Sequence, residues 1–211
     1  MPTNPEFAPN PSPTHADIVA RLDLMEAMIA EGRATTARFG WIFVLWGIVY
    51  LFAMTWCSFL PFNAFAWPVS IIAGVIITTV VKRRQRLAGI NLRTPRAHSV
   101  ESVWQATGVA VTLFAFSCVF THQINSPVAL SGILFLVGLA HATSAMILRW
   151  AAQGAAAAVW WIAGIAALFF TAPEQLFLIF MLATLFGMVF FGLYAMWLER
   201  RTPPPAVAAH A

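Results

Sequence analysis

The chain has 211 residues, of which 60% are hydrophobic and 9% are charged, and its net charge is +4. An ordinary globular domain carries about 25% charged residues, so this composition excludes a water-soluble domain. The long apolar runs do not alternate with polar residues, which favours membrane-spanning helices over a β-barrel. Inside such a helix, every backbone group finds its hydrogen-bond partner without water.

The N-terminal part of the chain is polar. Residues 1–13 hold five of the thirteen prolines and are predicted to be a disordered tail. Residues 14–38 are predicted to form a short cytoplasmic amphipathic helix and a linker, with Thr14 as N-cap and Asp17 in the first turn. Four residues spaced four, three and four apart form its apolar stripe: Ile18, Leu22, Met25 and Ile29. Acidic residues outnumber basic ones on this helix, which favours a protein partner over lipid alone.

Six apolar segments occupy residues 39–198, and most approach the roughly 20 residues that cross about 30 Å of hydrocarbon. They are residues 40–60, 64–81, 103–120, 128–148, 154–171 and 176–197. Ser126 is predicted to cap the fourth segment, with Pro127 as its first helical residue. Residues 199–211 are predicted to be a disordered cytoplasmic tail. We therefore predict an all-α fold, a polytopic membrane bundle of six transmembrane helices behind the amphipathic helix.

The positive charges predict the orientation. All twelve Lys and Arg residues lie in the N-terminal arm, the second loop, the fourth loop or the C-terminal tail. By the positive-inside rule, both termini are predicted to lie in the cytoplasm. The expected location is the bacterial inner membrane. The densest cluster predicts contact with lipid headgroups through Lys82, Arg83, Arg84 and Arg86. No nucleic-acid partner is expected, because this cluster has no interleaved aromatic residues.

No Asp, Glu, Lys or Arg lies inside the six predicted spans. This argues against ion-coupled transport and leaves no paired carboxylates for acid–base catalysis, so we expect no enzyme. His141 is the one ionisable group inside a predicted span, and Thr143 and Ser144 adjoin it. It is either a neutral imidazole that hydrogen-bonds to another helix or a quinone, proton or haem site. We favour the structural interpretation and expect no cofactor.

Cys57 and Cys118 each lie about three residues before the outer end of a span, and His122 follows Cys118 by four residues. Three such ligands at one depth could hold copper or zinc, and the two thiols could form a disulfide. We favour two inert buried cysteines and no metal.

Pairs of small residues predict close helix crossings in the last three spans. These pairs are Gly138/Ala142, Ala163/Ala167 and Ala183/Gly187. Most such pairs serve packing within one bundle, and a homo-oligomer is the alternative.

Three short motifs support a resemblance: Trp46-Gly47 in the first span, Trp67-Pro68 opening the second and Leu148-Arg149-Trp150 closing the fourth. In these motifs and in general design, the chain resembles a group of uncharacterised six-helix bacterial inner-membrane proteins. The resemblance covers the membrane region. It implies the same architecture and no catalytic residue.

These observations predict a non-enzymatic membrane protein, an accessory or regulatory subunit that acts by protein–protein contact. Two alternatives stay open. One is a redox protein that binds quinone or haem at His141. The other is a transporter or channel for a neutral or lipidic substrate, with a cavity lined by Thr107, Thr112, His141, Thr143 and Ser144.

Overall fold

The computed structural model describes residues 14, 15, 17–22, 24, 40–87, 95–121 and 124–201. The described residues are helical apart from short connections, and they contain no strand. Six helices are long and apolar enough to cross a membrane. The predicted all-α bundle of six helices is confirmed.

We number these six helices in chain order. They are α1, Gly40–Phe59; α2, Ala66–Leu87; α3, Pro95–Thr121; α4, Ser126–Leu148; α5, Ala151–Phe169; and α6, Pro173–Arg201. A 3-10 turn, Asn63–Phe65, precedes α2, and a π-helical turn, Leu185–Phe190, lies within α6. Helix α2 extends beyond its predicted apolar segment because straight-chain polar residues such as Lys, Arg and Gln also favour helix. Helix α3 begins earlier, at Pro95, because proline is favoured at the first position of a helix.

Local hydrogen bonds set the helix starts. Thr14 donates from its N–H and its hydroxyl to Asp17 Oδ2, at 3.0 and 2.6 Å, and accepts from the Asp17 N–H at 3.3 Å. These bonds confirm Thr14 as a cap and lower the pKa of the Asp17 carboxyl. The predicted cap of α4, Ser126, was wrong by one residue. Asn125 Oδ1 accepts the Val128 N–H at 3.1 Å, because Asn caps a helix as well as Ser does.

The helices pack on one another in the spatial order α3, α4, α5, α6, α1, α2. The antiparallel hairpin of α4 and α5 has the most extensive contact. Gly138 of α4 lies against the Trp161 ring, and a Cβ at Gly164 of α5 would lie 3.3 Å from Phe135 Cε1. Helices α2 and α3 are the two ends of this order. A salt bridge of 2.6 Å from Lys82 Nζ to Glu101 Oε1 links them.

Two kinds of close crossing hold the bundle together. Helices α1 and α6 approach backbone to backbone, since a Cβ at Gly192 would lie 2.7 Å from the Gly40 carbonyl oxygen. At the predicted small-residue positions Gly138 and Gly187, an indole ring of α5 fills the space instead of a neighbouring backbone. Gly138 and Gly187 therefore accommodate tryptophans.

The core lies among α1, α4, α5 and α6, where the largest fully buried side chains include Trp160, Leu134 and Leu148. Helix α3 contributes least, because no residue from 101 to 121 is fully buried. Helix α3 is therefore an edge of the bundle.

Candidate functional site

His141 lies at the meeting point of five helices and is fully buried. Four rings surround its imidazole: Phe43 of α1, Trp104 of α3, Trp160 of α5 and Phe191 of α6. Their centroids lie 5.6, 4.8, 6.4 and 5.5 Å from the centroid of the imidazole. We call His141 and these four rings the His141 centre.

Neither ring nitrogen of His141 has a hydrogen-bond partner among the described residues. A neutral imidazole carries one donor and one acceptor, and leaving such a group buried and unsatisfied costs about 1–3 kcal/mol. The rings of Trp104 and Phe191 stand at 86° and 90° to the imidazole. This edge-to-face arrangement is favourable and offsets part of the cost. The His141 imidazole therefore contacts aromatic rings, whereas the sequence predicted a hydrogen bond to another helix.

Four more polar side chains are buried without a partner in the described part of the chain: Ser70 of α2, Ser144 of α4, Gln153 of α5 and Thr184 of α6. Ser144 lies one turn after His141 on the same helix face. The contacts of Gly138 with Trp161 and of Gly154 with Ala145 set a register that places Gln153 level with Met146, roughly 7 Å along the axis from His141 at ~1.5 Å per residue. We call His141, Ser144, Gln153 and Thr184 the polar line.

Two residues predicted to share a polar cavity with His141 do not join it. Thr143 is half-buried and lies roughly 200° around α4 from His141, so it points away from the His141 centre. Thr112 is exposed on α3, where its hydroxyl donates to the Gly108 carbonyl oxygen at 2.7 Å. Of the predicted polar site, only His141 and Ser144 lie together in the core.

Two grooves lie on the outside of the bundle. One of about 340 Å³ separates α5 from α6, and one of about 210 Å³ separates α1 from α2. No residue of the polar line lines either groove. Phe191 lines the first groove and also contacts His141, so its ring stands between the groove and the imidazole.

Cys57 and Cys118 are half-buried free thiols, so the disulfide alternative is not realised. Within the described ranges, no group of three His, Cys, Asp or Glu side chains could hold a metal ion. His122, the third ligand of the metal alternative, lies outside those ranges.

The basic cluster occupies the last turns of α2. Lys82 pairs with Glu101, whereas Arg83, Arg84 and Arg86 are exposed. Their contact with lipid headgroups stays a prediction.

The predicted partner-contact helix is described in part, because Met25 and Ile29 lie outside the described residues. Ile18 and Leu22 are 45% and 54% exposed, so its apolar stripe is open where it is described. Its contact with a partner stays a prediction.

A second candidate site, which the sequence pattern did not predict, lies on the outer side of α3. Gln105, Gly108, Val109 and Thr112 are all exposed, and their spacing places them on one side of the helix. A Cβ at Gly108 would have no atom within 4 Å. We call these four residues the α3 face. The signal in the sequence was an amide with a small residue three positions later, inside an apolar run.

The six apolar helices and the sparse charge define the class: an integral membrane protein built as an all-α helix bundle. Comparison of the chain with protein-family models, with curated proteins and with solved structures finds no match.

Proposed function

We propose that the protein is a non-enzymatic accessory or regulatory subunit of the bacterial inner membrane, with both termini in the cytoplasm. In this proposal, it acts by contact with a transmembrane helix of another protein. The observation that carries the proposal is the α3 face, which combines an amide and a glycine on a side of α3 that no other described helix covers.

The depth of Gln105 supports a partner at this face. Its neighbour Trp104 stacks edge-to-face on His141, so Gln105 lies near the depth of His141. His141 is seven residues before Leu148, the end of α4, which corresponds to roughly 10 Å along the helix. In this proposal, the Gln105 amide lies within the hydrocarbon layer, where a polar group without a hydrogen bond costs several kcal/mol.

The hydroxyl groups on the exposed side of α3 within the membrane span are already satisfied. Thr112 and Ser117 donate their hydroxyls to carbonyl oxygens one turn earlier, at 2.7 and 2.8 Å. Gln105 has no such bond among the described residues, and its side-chain amide offers both a donor and an acceptor. A polar side chain on a second helix would satisfy it.

Gly108 supplies the close approach that such a contact needs. Small residues at helix interfaces in membranes let two backbones come together, since packing rather than hydrophobic burial drives association there. The open space above Gly108 distinguishes it from Gly138 and Gly187, which are filled by indole rings.

The N-terminal helix provides a second contact in this proposal. Four of its apolar residues are 42–61% exposed: Ile18, Val19, Leu22 and Leu24. An apolar stripe of this kind, next to the acidic Asp17, suits a protein surface better than an anionic membrane.

Native mass spectrometry of the protein, extracted from its own host in mild detergent, tests the proposal. We expect a stoichiometric second protein on the wild type and its loss from Gly108→Leu. The matched control is Ala73→Leu, which places the same side chain at an exposed position of α2 and should keep the partner. Deletion of residues 14–31 should also weaken the complex.

Two results would contradict the proposal. A wild-type protein that is a monomer or homo-oligomer carrying only lipid would remove the accessory role. A partner that binds Gly108→Leu and Ala73→Leu equally well would remove the α3 face as its site.

The polar line favours a second candidate function, a path for a small neutral solute. Its four buried side chains come from three helices and offer donors and acceptors that have no partner among the described residues. Stopped-flow permeability of proteoliposomes to water and glycerol tests this candidate. Flux through the wild type that His141→Phe blocks would support it, and flux equal to that of protein-free vesicles would exclude it.

A further inference from the structure

We propose that the groove between α5 and α6 binds an acyl chain of an anionic phospholipid, whose headgroup contacts Arg149 and Arg201. This goes beyond the proposed function, because the site lies on α5 and α6 rather than on the α3 face. It also differs from the predicted headgroup contact at the end of α2.

The groove suits an acyl chain by its lining and its size. Alanines of the first turns of α5 line one side, and side chains of α6 line the other. Its lining is Ala152, Ala155, Ala156, Val159, Phe186, Phe191 and Tyr194. At about 340 Å³ it falls within the range of small-molecule sites, roughly 300–1,000 Å³. An almost wholly apolar lining selects hydrocarbon.

An aromatic stripe leads from the groove to the membrane face at which α6 ends. The rings of Tyr194 and Trp197 stack with their centroids 5.9 Å apart. The Arg201 guanidinium carbon lies 4.0 Å from the centroid of the Trp197 ring. A cation–π contact of this kind holds the guanidinium close to the interface, in line with the groove. Tyr and Trp are the residues that proteins place at headgroup depth.

Arg149 stands at the same end of the bundle, three residues before Ala152. It ends α4 in the left-handed conformation, with φ 48° and ψ 44°, where glycine is the usual residue. An exposed arginine at a strained position points to a use for its side chain. Residues 149–159 and 185–201 contain three arginines, Arg149, Arg200 and Arg201, and one acidic residue, Glu199, so the net charge of these two segments is positive.

Lipid titration of the delipidated full-length protein tests the site. Phosphatidylglycerol and phosphatidylcholine are added in detergent, and bound lipid is counted by native mass spectrometry. We expect one phosphatidylglycerol to bind in preference to phosphatidylcholine. Arg201→Gln should lower the phosphatidylglycerol affinity about fivefold, which corresponds to about 1 kcal/mol for one basic residue at an anionic surface.

Binding of the acyl chain in the groove between α5 and α6 is tested separately. Ala155→Trp fills the groove from an exposed position and should abolish this binding for both lipids. Ala73→Trp, which fills the groove between α1 and α2, is the matched control and should leave it unchanged. Equal binding of both lipids to the wild type would overturn the headgroup assignment. Unchanged phosphatidylglycerol binding by Ala155→Trp would overturn the groove, even if that variant lost a co-purified neutral lipid.

Discussion

The His141 centre and the α3 face place polar groups in opposite surroundings. The imidazole of His141 is enclosed by four rings from four other helices. The amide of Gln105 lies at a similar depth but points out of the bundle. Both lack a hydrogen-bond partner within the described residues, yet only Gln105 can gain one without rearrangement of the bundle. A polar group at an edge is therefore the better candidate for recognition, and one at the centre for packing.

Gly187 and Gly108 show the same contrast in the space available for a side chain. At Gly187 a Cβ would lie 2.8 Å from Trp160 Cε2, whereas at Gly108 it would meet nothing. The centre has no room for an added atom, and the edge has room for another helix. Substitutions at these positions therefore test the comparison directly.

The largest effect is expected for Gly187→Leu. Trp160 is 1% exposed and cannot move aside, so the added side chain must displace α5 or α6. Overpacking costs typically 1–3 kcal/mol per site, and we expect about 3 kcal/mol or more here. The measurement is the thermal unfolding midpoint in detergent, with size-exclusion chromatography to follow aggregation.

Gly108→Leu is the matched control for that substitution. It replaces glycine in a helix by a better helix former, a gain of roughly 0.5–1 kcal/mol, without meeting any atom of the chain. Equal destabilisation by Gly108→Leu and Gly187→Leu would show that the edge is as tightly packed as the centre.

The next effect concerns the role of His141. If the imidazole serves packing, His141→Ala leaves a cavity and should cost about 2–4 kcal/mol. His141→Phe fills the same space without unpartnered nitrogens, and replacing such a group by an apolar one is nearly neutral. We expect His141→Phe to unfold within about 1 kcal/mol of the wild type.

Equal destabilisation by the two substitutions of His141 would change this interpretation. If His141→Phe were destabilised as much as His141→Ala, the nitrogens would be satisfied by a bound molecule. A visible absorption spectrum of the pure protein would then test for haem, and solvent extraction would test for quinone.

The fold was predictable because a membrane span is a local property of the sequence. Apolar runs of sufficient length predicted six helices, which the structure confirms. The spatial order of the helices was not predictable, since it depends on the fit between side chains from distant segments. Gly40 and Gly192 illustrate this, because neither stands out until the two helices are brought together.

The site was predictable in part for the same reason. His141 was found because an ionisable residue inside an apolar run is conspicuous, but its four aromatic neighbours come from other helices. Gln153 was missed because the fifth span was predicted to begin at residue 154, which left the amide in a loop. In the structure α5 begins at Ala151, so Gln153 lies in the first turn and is buried.

Gln105→Leu should have a smaller effect, and only on association. The side chain is exposed, so we expect the free energy of unfolding to change by no more than about 0.5 kcal/mol. A hydrogen bond between transmembrane helices is worth about 0.6 kcal/mol on average and up to about 1.7 kcal/mol. Partner affinity should therefore fall by a factor of about 3 to 20, measured by titration in nanodiscs. A stability loss without an affinity loss would place Gln105 in the packing of α3.

The smallest effect is expected for the salt bridge that joins α2 to α3, the two helices at the ends of the spatial order. Lys82 and Glu101 are partly exposed, at 27% and 40%, and such pairs contribute about 0.2–1 kcal/mol. Lys82 makes a further interaction, so single substitutions mix several losses. A double-mutant cycle with Lys82→Gln and Glu101→Gln isolates the pair, and its coupling should shrink at high salt. Zero coupling would mean that α2 and α3 are independent edges, which would leave α3 freer to move toward a partner helix.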